Sequence, residues 1–560
     1  MVTRHEAIGM LTGAGMPFEI EEIRHSGVPW RVYKHAQKNL AELLRSTAAH
    51  GQNEYIVFRD DRLTYGEHLR RVGGLAAHLA ALGVQPGDRI VVAMRNYPEF
   101  PVGFWAAVAM GAVVVPLNAW WTGPELKYAV QDSGAKVLFI DDERLERLSP
   151  HLPDCPSVVA TIVCRSGIEL PEGVTRWEDL LETFAEETNL PEVDIEPDDL
   201  ASIMYTSGTT GRPKGAVHTH RNHLTNVWNA LLGGTVGAMI ADVGPVARPQ
   251  PALLSLFPFF HIAGLSALYI GPATGMKLVT MYKWDLDEAV DILINEKITT
   301  TAVVPTLLRQ LLDSPRVDEL SPDVLAGIAS GGAPVPPDLI RRLEAKFDSR
   351  VSPANAYGLT ETTASVINNS GDDYFTHPDS VGRPVPVADI RVVRPDDNCD
   401  QDDGAIGEIW VRGPNVVQGY WNSPEATAAA FTDGWFRTGD LGYVDDDGFV
   451  YVVDRLKDVV IRGGENVYCA EVEAKLFEHA DVADVAVIGL PDAVFGEQVV
   501  AIVHPKPGHE VSAVELQRFA AETLASFKVP STIVFRDEPL PRNATGKVLK
   551  REIRDGLLSR

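Results

Sequence analysis

The 560-residue chain is 45% hydrophobic and 23% charged, the balance of a soluble globular protein with room for two to four packed units. Asp plus Glu (77) outnumber Lys plus Arg (50), for a formal charge of −27. That field repels nucleic acid and anionic membrane, which makes neither a sensible partner and obliges any nucleotide site to be built locally from backbone N–H groups, a few cations and a metal ion.

Near the start, Glu6 stands close behind Arg4 with no apolar run, so no signal peptide is expected. Leu69, Val72, Leu75, Leu79 and Leu82 recur at helical spacing, and Gly83 with the Pro86-Gly87 turn stops the helix before a short apolar strand over 89–94. No charge occurs between Glu99 and Glu125. The apolar run there is short of the ~18 residues a membrane span needs and ends at Pro116, so it reads as a buried helix over 102–110 and a strand over 112–116. The alternation repeats with a helix over 126–131 and a strand over 136–140, then with a helix over 286–295 and a strand over 301–304. This succession predicts an α/β fold with mostly parallel sheets covered by helices on both faces.

After Ala388 the texture changes. Strand patterns over 390–393 and 407–411 and an Asp445-Asp446-Asp447-Gly448 hairpin turn suggest a β-rich subdomain. The charged stretch Asp454-Arg455-Leu456-Lys457-Asp458 is a junction. Roughly a hundred residues follow, with a strand over 482–489 and a helix over 513–524, enough for a small α+β domain. Cys155, Cys164, Cys399 and Cys469 are scattered without a C-x-x-C pair, which argues against a zinc knuckle or a disulfide framework.

The most informative string is Tyr205-Thr-Ser-Gly-Thr-Thr-Gly-Arg-Pro-Lys-Gly-Ala216, after the apolar residues 201–204. Gly208 and Gly211 let successive N–H groups converge on phosphate oxygens. Thr206, Ser207, Thr209 and Thr210 add hydroxyl donors, and Arg212 and Lys214 add charge. Pro213 and the two cations argue against a flexible linker, and the spacing is not that of a P-loop.

This string resembles the phosphate loop of the adenylate-forming superfamily, which includes acyl-CoA synthetases, aryl-CoA ligases, peptide-synthetase adenylation domains and luciferases. The other family motifs follow in order from about residue 50 to the C-terminus, and the chain most resembles a fatty acid–CoA ligase. The resemblance implies an N-terminal domain over 1–453, of two doubly wound sheets plus the β-rich subdomain. A hinge over 454–458 and a small mobile α+β domain over 459–560 complete it. Thr206 and Glu361 would hold Mg²⁺. Asn355-Ala356-Tyr357-Gly358-Leu359-Thr360-Glu361 resembles the adenine motif, with Tyr357 stacking on the base, Asn355 facing its amino group and Thr360 at the α-phosphate. Gly331-Gly332-Ala333-Pro334 would wall the nucleotide and acyl pockets, where Gly358 would also lie. Asp440, in Thr438-Gly439-Asp440, would accept both ribose hydroxyls beside Arg455. Lys457 would be the hinge, and Lys547, in Pro541-Arg-Asn-Ala-Thr-Gly-Lys547, the catalytic lysine. Gly463, Gly464 and Glu465 resemble the face that admits CoA, where a side chain would narrow the passage.

The chemistry so implied needs no covalent nucleophile. An acid oxygen attacks the α-phosphorus of ATP, pyrophosphate leaves, and a thiol then takes the acyl group; Lys547 would draw together two mutually repelling anions. The partners expected are an acid, ATP and CoA, with Mg²⁺ as cofactor, no nucleic acid and no transmembrane segment. Residence in the cytoplasm is expected; a homodimer and a peripheral membrane contact are left open. Phe257-Pro-Phe-Phe260-His261 resembles the acyl-pocket segment, and its apolar neighbours, with space expected at Ala263 and Gly264, favour medium- to long-chain fatty acids. Aryl acids come second, a carrier-protein acceptor or luciferase-like oxygenation are alternatives, and a non-catalytic nucleotide-binding protein is the rival of a different class.

Overall fold

A computed structural model describes residues 2–185, 189–206, 212–241, 249–543 and 546–559. Two large sheets face a shared core. One has seven strands, in the order Lys214–Thr219, Leu200–Thr206, Val113–Pro116, Arg89–Ala93, Val137–Asp141, Ala160–Cys164 and Val174–Arg176, parallel except for the first pair. The other has nine, whose parallel centre runs Ser352–Leu359, Gly327–Gly331, Thr300–Val303, Ala252–Ser255, Lys277–Thr280 and Glu54–Phe58.

The uncharged run becomes the helix Glu99–Ala109, every residue of which is buried. It lies in a core that also takes Tyr55 and Leu278 from one sheet and Ile90, Val114 and Val137 from the other. A helix covered on all sides has no solvent face, so it carries no charged stripe. The helix expected over 69–82 begins earlier, as Tyr65–Ala81, because the Thr64 side chain accepts the Glu67 N–H and caps its first turn.

The subdomain is a third sheet of Asp389–Val393, Gly407–Arg412, Trp435–Val444, Phe431–Thr432 and Val450–Arg455. Asp454 and Arg455 are the last residues of this sheet, paired with Leu441 and Asp440, so the chain leaves it over residues 456–459. Beyond lies a five-stranded sheet led by the long hairpin Val482–Asp492 and Gly496–Pro505. This small domain is docked on the large one: the Arg309 guanidinium, on the helix Pro305–Asp313, lies 3.5 Å from the centre of the Phe477 ring and donates to the Phe477 carbonyl at 3.4 Å. Among the described residues no helix is long and apolar enough to cross a membrane.

Candidate active site

Four consecutive parallel strands of the nine-stranded sheet end together. Ala252–Ser255 leads to Phe257 and His261, Thr300–Val303 to Val304, Gly327–Gly331 to Gly332, and Ser352–Leu359 carries the adenine-type motif. Gly331 pairs with Ala356, so two motifs separated in sequence become neighbours at the carboxyl edge, where open α/β sheets bind ligands. Gly332 is left-handed (φ +77°), and a Cβ there would stand 3.3 Å from the Phe257 ring. The turn through Gly332, Ala333 and Pro334 therefore forms a wall shared with the acyl segment.

The string expected to hold phosphate begins on the other sheet. Thr206 ends its strand opposite Lys214, whose carbonyl its hydroxyl meets at 3.4 Å. Ser207, Gly208, Thr209, Thr210 and Gly211 lie outside the described residues. Lys214 places its amine 5.2 Å from the Tyr420 ring centre, and the Tyr420 hydroxyl donates to Glu361 at 2.7 Å. Tyr420 thus joins the loop's lysine to the expected metal ligand. Burial, then the Glu361 charge, pushes its phenol above the usual range. The Thr360 carbonyl accepts from His218 Nε2 at 2.8 Å. That bond fixes the tautomer, and burial holds His218 neutral, down at about 4.

Asp440 is buried and occupied on both oxygens. One faces Arg455 Nε at 2.8 Å and the other accepts the Tyr357 hydroxyl at 2.7 Å. Burial and this carboxylate push the Tyr357 phenol well above its usual value, so it remains a donor. A carboxylate has about four acceptor positions, which leaves room for ribose hydroxyls beside these two contacts.

Lys547 comes to the same place. Its loop is closed by hydrogen bonds from Lys547 N to Asn543 Oδ1 and from Asn543 N to the Lys547 carbonyl, each 2.9 Å, and Arg542 is tied to Asp484 at 2.6 Å. A Cβ on Gly546 would stand 3.4 Å from Val304, so the loop rests on the large domain where the four strands end. Although Lys547 keeps solvent contact, its surroundings lower the amine to about 8. Desolvation is the largest cause and Arg455 and Lys457 add to it, while Asp440 and Asp458 oppose it.

In the acyl segment His261 Nδ1 accepts the Ala263 N–H at 3.3 Å, and burial holds the ring neutral, down at about 4. Phe260 meets Trp120 edge-on at 5.3 Å between centroids, with Arg95 4.2 Å over the indole. Asn96 fixes the segment's backbone, donating to the Phe257 carbonyl and accepting from Phe259 N–H, both at 2.9 Å. Gly264 does not open space for the substrate, as its size had suggested: a Cβ there would run into the Pro258 and Phe257 carbonyls. Gly358 likewise faces the Ala364 carbonyl. Gly463 (φ +62°) and Gly464 (φ +88°) form the two-residue turn between Val460–Arg462 and Glu465–Val467, which itself demands glycine. Asn96, Trp120, Val304 and Tyr420 carried no local signal, because only the sheet order brings them here.

The small domain thus seats the Lys547 loop on the large domain where the parallel strands end, a two-domain arrangement whose family is identified by its similarity to known proteins. Residues 43–421 match the family model described as AMP-binding enzyme, and residues 471–547 match the AMP-binding enzyme C-terminal domain. A long-chain-fatty-acid–CoA ligase of Mycobacterium tuberculosis is 35% identical, over 92% of this chain and 98% of that protein. A feruloyl-CoA synthase of Amycolatopsis sp is 36% identical over 88% and 93%. The ATP-bound structure of MatB from Rhodopseudomonas palustris superposes with a TM-score of 0.80 at 32% identity, covering 93% of this chain and 98% of that one. The chain belongs to the AMP-binding enzyme family and is an adenylate-forming acid–CoA ligase.

Proposed function

We propose that the protein converts an apolar carboxylic acid, in first place a medium- to long-chain fatty acid, to its acyl-adenylate and then to its CoA thioester. The observation that carries the adenylation half is the seat of the lysine loop, with Gly546 against Val304 and the Lys547 amine in the field of Asp440 and Arg455. An ammonium there can face a carboxylate and the α-phosphate together, steadying charge as the acid oxygen attacks and pyrophosphate departs. Asp440 and Arg455 hold the ribose end, and Tyr357 offers its ring to adenine. Thr206 and Glu361 supply hard oxygen donors of the kind Mg²⁺ prefers. The ion, when bound, would neutralise charge on the ATP phosphates. For the thioester step the small domain turns about Lys457, withdrawing Lys547 and presenting Gly463, Gly464 and Glu465 to CoA.

The apolar acid is favoured by the aromatic segment through Phe257 and Phe260 and by a His261 that burial keeps uncharged. The aryl reading has its own support in the feruloyl-CoA synthase relative and the edge-on Phe260–Trp120 pair. Pyrophosphate release and thioester formation across alkyl and aryl acids, with Lys547→Ala beside wild type, test both. Fatty acids should give the highest kcat/KM, and Lys547→Ala should cripple adenylation while leaving ATP binding. Preference for cinnamate-type acids would replace the alkyl reading, and no acid-dependent pyrophosphate from any acid would end both.

A further inference from the structure

The ribose-type loop is a bulge, and one buried carboxylate holds it. Between the strands Gly407–Arg412 and Trp435–Val444, Glu408 pairs with Leu441 and Trp410 with Arg437. A single residue, Ile409, therefore faces three, Thr438, Gly439 and Asp440. Bulged residues lose ladder partners, so their backbone groups need other ones. Thr438 supplies some: its hydroxyl donates to the Ile409 carbonyl at 2.6 Å and accepts the Asp440 N–H at 3.0 Å. The Gly439 N–H goes to Glu408 Oε1 at 3.1 Å. The Gly439 carbonyl accepts from Leu456 N at 2.9 Å, where the chain leaves the large domain.

Glu408 is 3% exposed. Its second oxygen accepts from the Trp410 indole N–H at 2.8 Å and lies 3.3 Å from Arg437 Nη2. A carboxylate with both oxygens held by donors on one strand pair is a fixed post for the N–H of a left-handed glycine (φ +71°). The next residue is Asp440, whose oxygens face Tyr357 and Arg455.

We infer that Glu408 is a positioning residue for the nucleotide: through the Gly439 N–H it sets the bulge that aims Asp440 at the ribose. This rests on the proposed reading of Asp440 as the ribose ligand. The side chain must be a carboxylate rather than an amide. Glutamine has one acceptor oxygen, which the Arg437 and Trp410 donors claim, and its amide then confronts the Gly439 N–H, donor against donor.

The test compares ATP with 2′-deoxy-ATP and 3′-deoxy-ATP in pyrophosphate release by the full-length wild-type, Glu408→Gln, Glu408→Ala and Asp440→Asn proteins. Glu408→Gln preserves side-chain volume and guards against a variant that fails to fold; thermal unfolding reports that separately. The expected result is a fall of about 10- to 100-fold in kcat/KM for ATP. KM for the acid should stay within about twofold, and the preference for ATP over both deoxy analogues should collapse toward that of Asp440→Asn. A Glu408 that only braces the sheet would lower activity with all three nucleotides alike. A preserved ATP preference in Glu408→Gln, alongside its loss in Asp440→Asn, therefore overturns the inference while sparing the ribose reading. An unchanged preference in Asp440→Asn removes the ribose reading and the inference with it.

Discussion

On the proposed role of Lys547 in adenylation, its lowered pKa should set the alkaline limit of the reaction. In the docked arrangement its amine is lowered to about 8, below the usual lysine value, because the packed domains desolvate it in part, although the residue stays exposed, and Arg455 and Lys457 repel its charge more than Asp440 and Asp458 attract it. Only the ammonium can face two anions. The active form is thus the protonated one, present in full well below this pKa and lost as the pH rises through it. Between about pH 7 and 9 the charged fraction drops from roughly nine-tenths to a tenth, so kcat/KM for ATP should fall by about tenfold over that interval. Bound ATP and carboxylate add negative charge and raise the pKa, so kcat at saturation should bend at higher pH than kcat/KM. The assay is hydroxylamine trapping of the acyl-adenylate without CoA, whose own thiol would otherwise titrate in the same range. Lys547→Arg is the decisive comparison. Its guanidinium is geometrically poorer and the rate lower, but it keeps its charge throughout, so its profile should be flat where the wild type declines. A wild-type profile level from about pH 7 to 9.5, or the same decline in Lys547→Arg, would refute the reasoning.

Tyr420→Phe removes the hydroxyl that orients Glu361 and should raise the Mg²⁺ concentration for half-maximal pyrophosphate release by about tenfold, with little change in thermal stability. Superimposable Mg²⁺ titrations would exclude that role. Gly264→Ala drives a Cβ into the Pro258 and Phe257 carbonyls and should cost about 1–3 kcal/mol in denaturant unfolding, with a raised KM for the acid. The Arg309–Phe477 stack joins the domains in the lysine-docked arrangement, and a desolvated cation–π contact contributes about 2 kcal/mol. In a cycle of Arg309→Met and Phe477→Leu, adenylation rates should show coupling of about 1–2 kcal/mol, whereas additive effects would mean the stack does not hold the domains.

Sequence alone determined the elements and the vocabulary of the site. The helix over 286–295 and the strands around 89–94 and 407–411 follow from local periodicity, since a short segment's apolar pattern already states which face is buried. The motif strings around Tyr205, Tyr357, Asp440 and Lys547 carried the resemblance from which the expected chemistry came, because each keeps its residues close together in the chain. Local pattern misled at Gly264, whose smallness answers to the Pro258 backbone and not to a substrate. Tertiary structure decided who meets whom. Tyr357 reaches Asp440 across 83 positions, Tyr420 reaches Glu361 across 59, and Asn96 clamps Phe257 from the other sheet. Val304 receives the loop of Gly546 only because the small domain docks there. Such contacts depend on strand order and domain seating, which sum many weak preferences along the whole chain and leave no mark on any single stretch of it.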